Sequence, residues 1–267
     1  MQDNQGIISP ECWTAIIPAA GRGSRLGFDQ PKILFPVAGR PILDWLLEFL
    51  LPVSSRVVLV LSPDGRGPVE KALKDTWKTA WQQGRFQIAV QPAPTGMGDA
   101  VAIGLENVET ENTAIVWGDQ AGLRPESVRA CFAAHQTSAD AAVTFLTVWR
   151  EQFYIHFGRD EAGRITSLLQ AREGDTMPAK GESDTGFFCF RTVTLKSLLS
   201  DLRHSPDLAG GKGTGEFNFL PAILLAAKRG LTILTPQVVS MEETMGVNSR
   251  EDALQLEKYL RSTACHP

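Results

Sequence analysis

The sequence has few of the residues that cross-link small secreted domains or bind transition metals. Its 267 residues include four cysteines and four histidines. The two nearest cysteines, Cys131 and Cys189, are 58 positions apart, so no C-x-x-C pair for zinc or redox chemistry is present. The four histidines are too scattered for a histidine-rich metal site. Because the cysteine spacing does not resemble a secreted disulfide framework, we expect a protein of the reducing cytoplasm.

Long apolar runs and an excess of positive charge are also missing. The longest apolar stretch, residues 41–53, is interrupted by Asp44 and Glu48, whereas a membrane-spanning helix needs about 20 apolar residues. Residues 1–11 are polar and do not resemble a signal peptide. Lys and Arg number 26 against 30 Asp and Glu, a net charge of −4. We therefore expect no nucleic-acid or membrane partner; nothing in the sequence indicates an oligomeric state.

Short apolar runs alternate with longer helical patterns over the first half of the chain. The runs typical of β-strands are residues 13–19, 56–62, 86–91, 113–117 and 141–148. The helical patterns are residues 41–51, 68–83, 98–107 and 125–135. Apolar strands that alternate with helices predict a parallel sheet that is covered on both faces. The fold class is therefore α/β, with a mainly parallel central sheet and helices on both faces.

The pattern is looser after residue 148. Residues 158–163 and 174–186 are rich in loop formers, and short β-runs occupy residues 164–169 and 187–191. A second glycine cluster at 210–215 precedes a helical pattern at 216–229, a strand at 231–235 and a closing helix at 249–261. Ser249 and Asp252 form a predicted capping box for the closing helix. No linker divides the chain, so we expect one domain over residues 1–267.

The most informative segment is the glycine-rich stretch that follows the first β-run, Ala15-Ile-Ile-Pro-Ala-Ala-Gly-Arg-Gly-Ser-Arg-Leu-Gly27. At the carboxyl edge of a parallel strand, glycines let backbone N–H groups approach phosphate oxygens. The stretch is not a dinucleotide fingerprint, because position 26 is Leu and Pro31 opposes a continuing helix. No window matches the Walker pattern either. The loop is therefore a third type of phosphate loop, flanked by Arg25 and Lys32.

This loop and the residues after it resemble a known family. Gly21-x-Gly23-Ser24-Arg25-Leu26, followed by Pro31-Lys32-x-Leu34-x-Pro36-Val37-x-Gly39-x-Pro41, is similar to the N-terminal signature of the sugar-phosphate nucleotidyltransferases, or NDP-sugar pyrophosphorylases. Later stretches resemble the family in its own order: residues 91–100, Trp117-Gly118-Asp119, residues 156–159, Asp184-Thr185-Gly186, residues 215–219 and Gly246-Val247-Asn248. The resemblance covers residues 13–260.

The resemblance implies a single Rossmann-like (GT-A-like) domain. Its nucleotide-binding half would lie at about residues 13–150, a looser acceptor-binding half on the sugar side at about 151–245, and a closing metal-ligand turn and helix at 246–262. The implied reaction joins a nucleoside triphosphate to a sugar 1-phosphate by in-line attack on the α-phosphorus and releases pyrophosphate. Both reactants are anions, so catalysis depends on positioning and charge neutralisation.

The resemblance also implies catalytic and metal-binding residues. Arg25 suits the leaving β- and γ-phosphates, and Lys32 suits the α-phosphate and the incoming phosphate. Mg²⁺ is the implied cofactor, with the Asp119 carboxylate and the Asn248 amide oxygen as its protein ligands. This set is sparse, but Mg²⁺ commonly completes its shell with phosphate and water. Asp99 is interpreted as a residue at the start of a helix.

The remaining implied site residues divide between the nucleotide and the acceptor. Those for the nucleotide are Ala19, Ala20, Gly21, Gly23, Gln91, Gly96 and Gly98. A Gln side chain both donates and accepts, which matches the imide edge of uracil or thymine and favours UTP or dTTP. Those for the acceptor are Gly158, Gln170, Asp184 and Glu216.

Three positions depart from the family pattern and leave alternatives open. Gln170 stands where Glu is usual, Asp184 where Asn is usual, and Met97 replaces a frequent small residue. These departures, together with Gly118-Asp119-Gln120, motivate a nucleotidyltransferase with a non-sugar acceptor such as phosphocholine, a polyol phosphate or a molybdopterin. A non-catalytic nucleotide-binding subunit is the other alternative. The joint presence of the catalytic and metal-ligand residues, Arg25, Lys32, Asp119 and Asn248, argues against it.

Overall fold

The computed structural model describes residues 8–151, 153–205 and 211–264. The strands are β1 (Trp13–Pro18), β2 (Pro36–Val37), β3 (Arg40–Pro41), β4 (Arg56–Leu61), β5 (Phe86–Val90), β6 (Asn112–Val116), β7 (Ala141–Glu151), β8 (Ile155–Arg159), β9 (Ile165–Gln170), β10 (Lys180–Arg191) and β11 (Thr232–Leu234). The α-helices are α1 (Ile42–Leu50), α2 (Pro63–Thr76), α3 (Lys78–Gln82), α4 (Met97–Leu105), α5 (Pro125–Thr137), α6 (Thr192–Arg203), α7 (Pro221–Lys228) and α8 (Arg250–Ala264).

Seven of the strands form one sheet in the order β11-β7-β10-β6-β1-β4-β5. The strands β5, β4, β1 and β6 pair in parallel, and Ile16 of β1 lies opposite Val58 on one side and Ile115 on the other. Only β10 runs antiparallel to its neighbours in this sheet, β6 and β7. The pairs β2–β3 and β8–β9 form two separate antiparallel hairpins. The predicted α/β fold with a mainly parallel sheet is confirmed.

The alternation of side chains along β1 divides the core between the two faces of the sheet. Ala15 and Ile17 belong to a buried cluster that includes residues of α1, α2, α5 and α8. Ile16 belongs to the opposite cluster, which includes residues of α4, α6 and α7. Trp13 packs edge-on against Phe132 of α5 with 4.4 Å between ring centroids. Helices therefore cover both faces, which is why the parallel strands are mainly apolar.

Two predicted helices have different bounds in the structure. The pattern at 68–83 is two helices, α2 and α3, and α2 begins earlier, at Pro63. Ser62 caps α2 by accepting the N–H of Gly65 at 3.1 Å, and a proline in the first turn fits a helix start. The pattern at 216–229 becomes helical only at Pro221, because Phe217 forms backbone hydrogen bonds to another loop instead.

The second half contains more regular structure than the sequence indicates. The loop predicted at 174–186 is wrong from Lys180 onward, because β10 begins there, and β8 enters the loop predicted at 158–163. A Cβ on Gly181 would lie 2.3 Å from His156 Nδ1, and one on Gly186 would lie 2.5 Å from the Trp117 ring. These glycines therefore serve close packing inside a strand. Helix α6 has no counterpart in the sequence analysis, and Gly210 lies outside the described residues.

The closing helix begins as predicted. Asp252 N donates to Ser249 Oγ at 3.1 Å, and Ser249 N donates to Asp252 Oδ2 at 2.7 Å, which is a complete capping box. Asp252 Oδ2 also accepts the N–H of Asn248 at 2.9 Å, so residues 248 and 249 are held by one carboxylate. Within the described ranges, no helix combines the length and apolar composition that crossing a bilayer requires.

Candidate active site

The candidate active site begins where β1 and β6 end. Gly118 N donates to Pro18 O at 3.3 Å, which joins the two strand ends. A Cβ on Gly118 would lie 2.8 Å from Pro18 O and 3.2 Å from the Ala19 side chain. Only glycine therefore allows this approach, which brings Asp119 beside the glycine-rich segment at the carboxyl edge of the sheet. That edge is where open α/β sheets bind ligands.

The phosphate loop, residues 19–32, folds back on itself. Gly23 O accepts the N–H groups of Leu26 and Phe28 at 2.9 and 3.2 Å. A Cβ on Gly23 would lie 2.9 Å from Phe28 O, so the turn requires a glycine at this position. Residues Ser24–Leu26 form a 3₁₀ turn, which ends at Gly27 in the left-handed conformation with φ 59°. The predicted catalytic Arg25 lies on this turn, is exposed, and forms no ion pair or hydrogen bond with the described residues.

A cleft of about 350 Å³ separates the phosphate loop from the amino end of α2. Residues that line it include Gly21, Gly23, Ser24, Pro31, Ser62 and Gly65. Two of the predicted nucleotide-binding residues, Gly21 and Gly23, therefore border open space. The other two in this loop differ in exposure, because Ala19 is buried and Ala20 is half-buried.

Lys32, Asp119 and Asn248 meet at one point. Lys32 Nζ donates to Asp119 Oδ2 at 2.7 Å and to Asn248 Oδ1 at 2.8 Å. The Lys32 and Asp119 side chains are 17% and 21% exposed, so the ion pair is largely shielded from solvent. The structure therefore brings together a predicted catalytic lysine and the two predicted metal ligands, from positions up to 216 residues apart.

Backbone contacts hold the two predicted metal ligands in place. Val247 N donates to Asp119 O at 3.0 Å, which joins the turn before α8 to the end of β6. A Cβ on Gly246 would lie 3.2 Å from the Gln120 amide nitrogen and 3.5 Å from both the Asp119 carboxyl carbon and the Asn248 amide nitrogen. Only the distance to Gln120 is shorter than an ordinary van der Waals contact, so glycine at 246 makes room for the Gln120 side chain beside the two ligands.

The donor set fits a hard divalent cation. Asp119 Oδ2 and Asn248 Oδ1 both lie within hydrogen-bond distance of one atom, Lys32 Nζ, so the two oxygens converge. One carboxylate and one amide oxygen suit Mg²⁺, which needs few protein ligands when phosphates and water supply the rest. In the part of the chain that the structure describes, no three His, Cys, Asp or Glu side chains form a group that could hold a metal ion.

The nucleotide loop, residues 91–98, is bound to a segment from the second half of the chain. Gln91 is 5% exposed, and its Nε2 donates to Gly96 O at 3.0 Å. Phe217 N donates to Thr95 O at 2.9 Å, and Gly98 N donates to Phe217 O at 2.8 Å. A Cβ on Gly96 would lie 2.5 Å from Phe217 O, so this glycine permits the contact. The predicted nucleotide-binding residues Gln91, Gly96 and Gly98 thus form one unit.

Asp99 occupies the third position of α4, as its interpretation as a helix-start residue requires. Its carboxylate accepts hydrogen bonds from Thr95 Oγ1 at 2.5 Å and from Arg203 Nη2 at 2.7 Å. Desolvation opposes ionisation of this carboxyl, but these hydrogen bonds outweigh it and lower the pKa of Asp99. The Arg203 guanidinium also lies over the Phe217 ring, 5.2 Å from its centroid.

The acceptor segment, residues 211–218, is anchored by a buried carboxylate. Glu173 accepts the N–H of Gly213 at 2.9 Å, the Thr214 hydroxyl at 3.0 Å and the Asn218 amide at 3.2 Å. These hydrogen bonds lower the pKa of Glu173 although its desolvation acts in the opposite direction. The predicted acceptor residue Glu216 lies in this segment, where its Oε1 accepts from Arg172 Nη2 at 2.9 Å.

The other three predicted acceptor residues lie on different strands. Gln170 ends β9, and its N–H donates to Asp175 Oδ2 at 2.9 Å. Gly158 lies in β8, where a Cβ would be 2.2 Å from Ser167 Oγ. Asp184 lies in β10, and its Oδ2 accepts the N–H of Gly186 at 2.8 Å. Desolvation raises the pKa of Asp184 to about 6, since hydrogen bonds from backbone N–H groups compensate only part of it.

Contacts connect Asp184 to the segment after β6 that carries Asp119. Gly158 is not connected to that segment in the same way. Gly186, which donates to Asp184, lies against Trp117 and Gln120, and Gly186 O accepts the Trp117 N–H at 2.9 Å. Gly158 instead contacts Ser167 within its own hairpin. The predicted acceptor residues are therefore not brought into mutual contact. These contacts connect Asp184 to the segment that carries the metal ligand Asp119, through Gly186 in the middle of β10.

Three side chains that shape the site are not among the predicted site residues. Gln120 is 8% exposed, and its Oε1 has no hydrogen-bond partner among the described residues. Glu243 is fully buried and accepts from Arg124 N at 2.9 Å, which ties the turn before α8 to α5. Arg250 Nε donates to Leu26 O at 2.8 Å. Gln120 was indicated by its position after Asp119, whereas no local pattern marks the other two.

Comparison with known proteins decides the family. The profile described as "MobA-like NTP transferase domain" matches residues 15–183, more than half of the chain. The chain belongs to this family. The family assignment makes it a nucleotidyltransferase enzyme and confirms the resemblance to the sugar-phosphate nucleotidyltransferases.

Curated relatives and a solved structure agree with this assignment. The nucleotidyltransferase is 30% identical over 246 residues to "Bifunctional protein GlmU" of Carboxydothermus hydrogenoformans and 30% identical over 253 residues to that of Pelobacter propionicus. These matches cover 91% and 92% of the chain but 52% of each relative, so the chain spans about half their length. "A nucleotidyl transferase from Methanothermobacter thermautotroptrophicus (Mth528)" shares the fold, with a TM-score of 0.62, 18% identity, and coverage of 94% of this chain and 99% of that one.

Proposed function

We propose that the enzyme transfers a nucleotidyl group from a pyrimidine nucleoside triphosphate, UTP or dTTP, to a sugar 1-phosphate with the help of Mg²⁺. The observation that carries this proposal is the convergence of Lys32, Asp119 and Asn248 beside the phosphate loop. A cation, a carboxylate and an amide oxygen at one point suit a reaction between two anions at a phosphorus atom. Lysine and a Mg²⁺ site together provide the positive charge that such a reaction needs.

The proposed roles follow from the position of each charge. Lys32, which lies beside Asp119 and Asn248, neutralises the α-phosphate and the incoming phosphate. Arg25, exposed on its turn, neutralises the leaving pyrophosphate, while the N–H groups of the phosphate loop position the triphosphate. Bound Mg²⁺, held by Asp119 and Asn248, would supply further charge neutralisation at the phosphate oxygens. No covalent bond to the protein is required.

The nucleotide loop supports a pyrimidine base. Gln91 Nε2 donates within the loop to Gly96 O, while Gln91 Oε1 accepts no hydrogen bond from the described residues. An amide oxygen beside backbone N–H groups complements the donor at N3 and the carbonyl oxygens of uracil or thymine. Ala19, Ala20, Gly21 and Gly23 are proposed to contact the ribose and phosphates, because they connect β1 to the cleft beside α2.

The acceptor is proposed to bind between the middle of β10, around Asp184, and the acceptor segment. Asp184 and Glu216 offer carboxylates to the hydroxyl groups of a sugar, and Gly158 and Gln170 complete this side. Glu216 is already paired with Arg172, so an acceptor that binds Glu216 has to share it. The phosphate of the acceptor would face Lys32, which contacts Asp119 after the end of β6.

Pyrophosphate release tests this proposal. UTP, dTTP, CTP, ATP and GTP are each combined with glucose 1-phosphate, N-acetylglucosamine 1-phosphate and other sugar 1-phosphates, with and without Mg²⁺. We expect turnover with a pyrimidine nucleotide that stops when Mg²⁺ is chelated. Asp119→Asn and Lys32→Met are each expected to reduce kcat about 100- to 1000-fold, the usual loss when one charge-stabilising group is removed.

The control is Asp140→Asn, which removes an exposed carboxylate just before β7, at the opposite edge of the sheet. Its activity is expected to equal that of the wild type. Absence of pyrophosphate with every substrate pair, or full activity of Asp119→Asn, would contradict the proposal. Tight triphosphate binding in calorimetry without any turnover would instead favour a non-catalytic nucleotide-binding subunit.

A non-sugar acceptor is the second candidate, and Asp184 is the observation that favours it. Its carboxyl group accepts the N–H of Gly186 and has a raised pKa, so the acceptor site differs in charge from one lined by an amide. With the preferred triphosphate fixed, phosphocholine, a polyol phosphate and a molybdopterin are compared with the sugar 1-phosphates. A kcat/KM for one of these at least tenfold above that of every sugar 1-phosphate would select this candidate.

A further inference from the structure

Arg250 connects the closing helix to the phosphate loop. It is the first residue of α8, two positions after Asn248. Its Nε donates to Leu26 O at 2.8 Å, and its Nη2 donates to Gly27 O at 3.3 Å. These two carbonyl groups end the turn that carries Arg25. Within the described parts of the chain they accept hydrogen bonds only from Arg250.

Hydrogen bonds fix the part of helix α8 that carries Arg250. The Ser249–Asp252 capping box fixes the first turn of α8, and Asp252 also binds the N–H of Asn248. The same short stretch therefore places Asn248 against Lys32 and Arg250 against the phosphate loop. A planar guanidinium with several donors can reach two adjacent carbonyl groups at once, which a lysine ammonium matches poorly.

The loop end of the contact needs this support. Gly27 has φ 59°, and a Cβ on it would lie 3.0 Å from Arg250 Nη2, so the arginine lies directly on the turn backbone. Arg25 itself has no partner among the described residues, so the turn backbone alone determines where its charge is placed. A second contact from the same helix, Glu257 Oε1 accepting the N–H of Ala38 at 2.9 Å, holds the chain beyond the loop.

We propose that Arg250 is a positioning residue that fixes the turn at residues 23–27 relative to Asn248, so that Arg25 is held over the leaving pyrophosphate. The part of this statement that concerns Arg25 rests on the proposed function. The part that concerns the turn does not. Displacement of a charged group by about 1 Å costs up to about 100-fold in rate, so loss of the contact acts on catalysis without any direct contact to substrate.

The first experiment measures amide hydrogen exchange in Arg250→Gln, Arg250→Lys and the matched control Arg261→Gln. Arg261 is an exposed arginine of the same helix and has no contact to the turn. We expect the amides of Leu26, Gly27 and Phe28 to exchange at least tenfold faster in Arg250→Gln. The Asp252 amide in Arg250→Gln, and all amides in Arg261→Gln, should exchange at the wild-type rate. Arg250 is itself exposed, so the variant is expected to fold. Unchanged exchange at Leu26 and Gly27 would overturn the proposal.

The second experiment measures kcat and KM in a double-mutant cycle with Arg25→Gln. Arg250→Gln is expected to lower kcat about 10- to 100-fold while the KM for the acceptor stays constant, and Arg250→Lys is expected to restore little of it. In the Arg25→Gln background the same substitution should have almost no further effect, because the group it positions is gone. An equal loss in both backgrounds, or full activity of Arg250→Lys, would contradict the proposal. If the wild type turns over no substrate pair, the proposed function fails and hydrogen exchange alone decides on the contact.

Discussion

Replacing Gly96 by alanine tests whether the nucleotide loop and the acceptor segment behave as one unit. Gly96 has φ 119°, a conformation that residues with a side chain rarely adopt. An added Cβ would lie 2.5 Å from Phe217 O and 2.7 Å from Phe217 N. The clash is with backbone atoms of the acceptor segment, which no side-chain rotation can relieve. The substitution therefore forces the loop and the segment apart.

The size of the effect follows from the contacts that have to open. Separation breaks two backbone hydrogen bonds, Phe217 N to Thr95 O and Gly98 N to Phe217 O. At about 1 kcal/mol for each, opening costs about 2 kcal/mol. The disfavoured φ adds about 1–3 kcal/mol to either outcome. The choice is therefore between about 2 kcal/mol for opening and the overpacking cost of a 2.5 Å approach to backbone atoms, which lies at the upper end of about 1–3 kcal/mol or above it. The protein is therefore expected to open the contact locally and to lose about 2 kcal/mol beyond the conformational cost of the positive φ.

Gly84→Ala is the matched control. Gly84 also has a positive φ, 68°, but a Cβ there would meet nothing within 4 Å. Gly84→Ala therefore has the conformational cost of a positive φ, about 1–2 kcal/mol, but no steric clash. Hydrogen exchange separates the two variants. The Phe217 and Gly98 amides should exchange about 30-fold faster in Gly96→Ala, the factor that corresponds to 2 kcal/mol, and at the wild-type rate in Gly84→Ala.

Kinetics provide the second assay of the same variants. Gly96→Ala is expected to raise the KM of both the nucleotide and the acceptor, because the opened contact belongs to both sides, while Gly84→Ala leaves both unchanged. Wild-type exchange of the Phe217 amide in Gly96→Ala, or a KM change confined to the nucleotide, would refute the argument that the loop and the segment form one unit.

Three further predictions concern titratable groups that are shielded from solvent fully or in part. Burial, assisted by the Arg191 charge, lowers the pKa of His135 to about 4. The unfolded chain therefore binds the proton more readily, and stability should fall by up to about 3 kcal/mol as the pH drops from 6.5 to 4; His135→Gln should remove this dependence in urea unfolding at a series of pH values. Asp184 has the opposite sign, because desolvation raises its pKa to about 6. Protonation should stabilise the fold between pH 6 and 3.8, by at most about 2 kcal/mol for this partly exposed group, and Asp184→Asn should abolish that gain. Glu243→Gln places an amide donor against the N–H of Arg124 or the other donors around it; we expect a loss of about 1–3 kcal/mol in thermal unfolding, and an unchanged melting temperature would contradict it.

The sheet was predictable where strands are apolar on both faces. Val57 to Leu61 of β4 are all fully buried, and a continuous run of this kind needs no partner to be recognised. β10 was missed at its start because polar residues and glycines occupy it. His156 packs against the backbone of Gly181, and Gly186 combines a positive φ of 77° with close packing against Trp117. That cause lies in another part of the chain and leaves no local pattern.

The site residues were indicated by motifs, but their arrangement was not. Spacing alone does not show that Asn248 and Asp119 bind the same lysine ammonium, because a loop, a strand end and a helix start have to meet first. The structure also assigns internal partners to residues that sequence reasoning reserved for ligands. Glu216 is paired with Arg172, and the Gln91 amide nitrogen donates to Gly96 O. A motif identifies a chemical group and gives no information about which of its atoms remain available.

The glycines near the site show how distant segments are brought together. Gly118 lies against Pro18, Gly96 against Phe217, and Gly98 against Asn218, in each case with 2.9 Å or less between the position of an added Cβ and a backbone oxygen of the other segment. Local secondary-structure preference does not explain these glycines, since each contact is to another part of the chain. Substitution at any of them should therefore disturb the partner segment first and the local backbone second. The architecture of this nucleotidyltransferase site thus depends on close backbone approach as much as on its charged side chains.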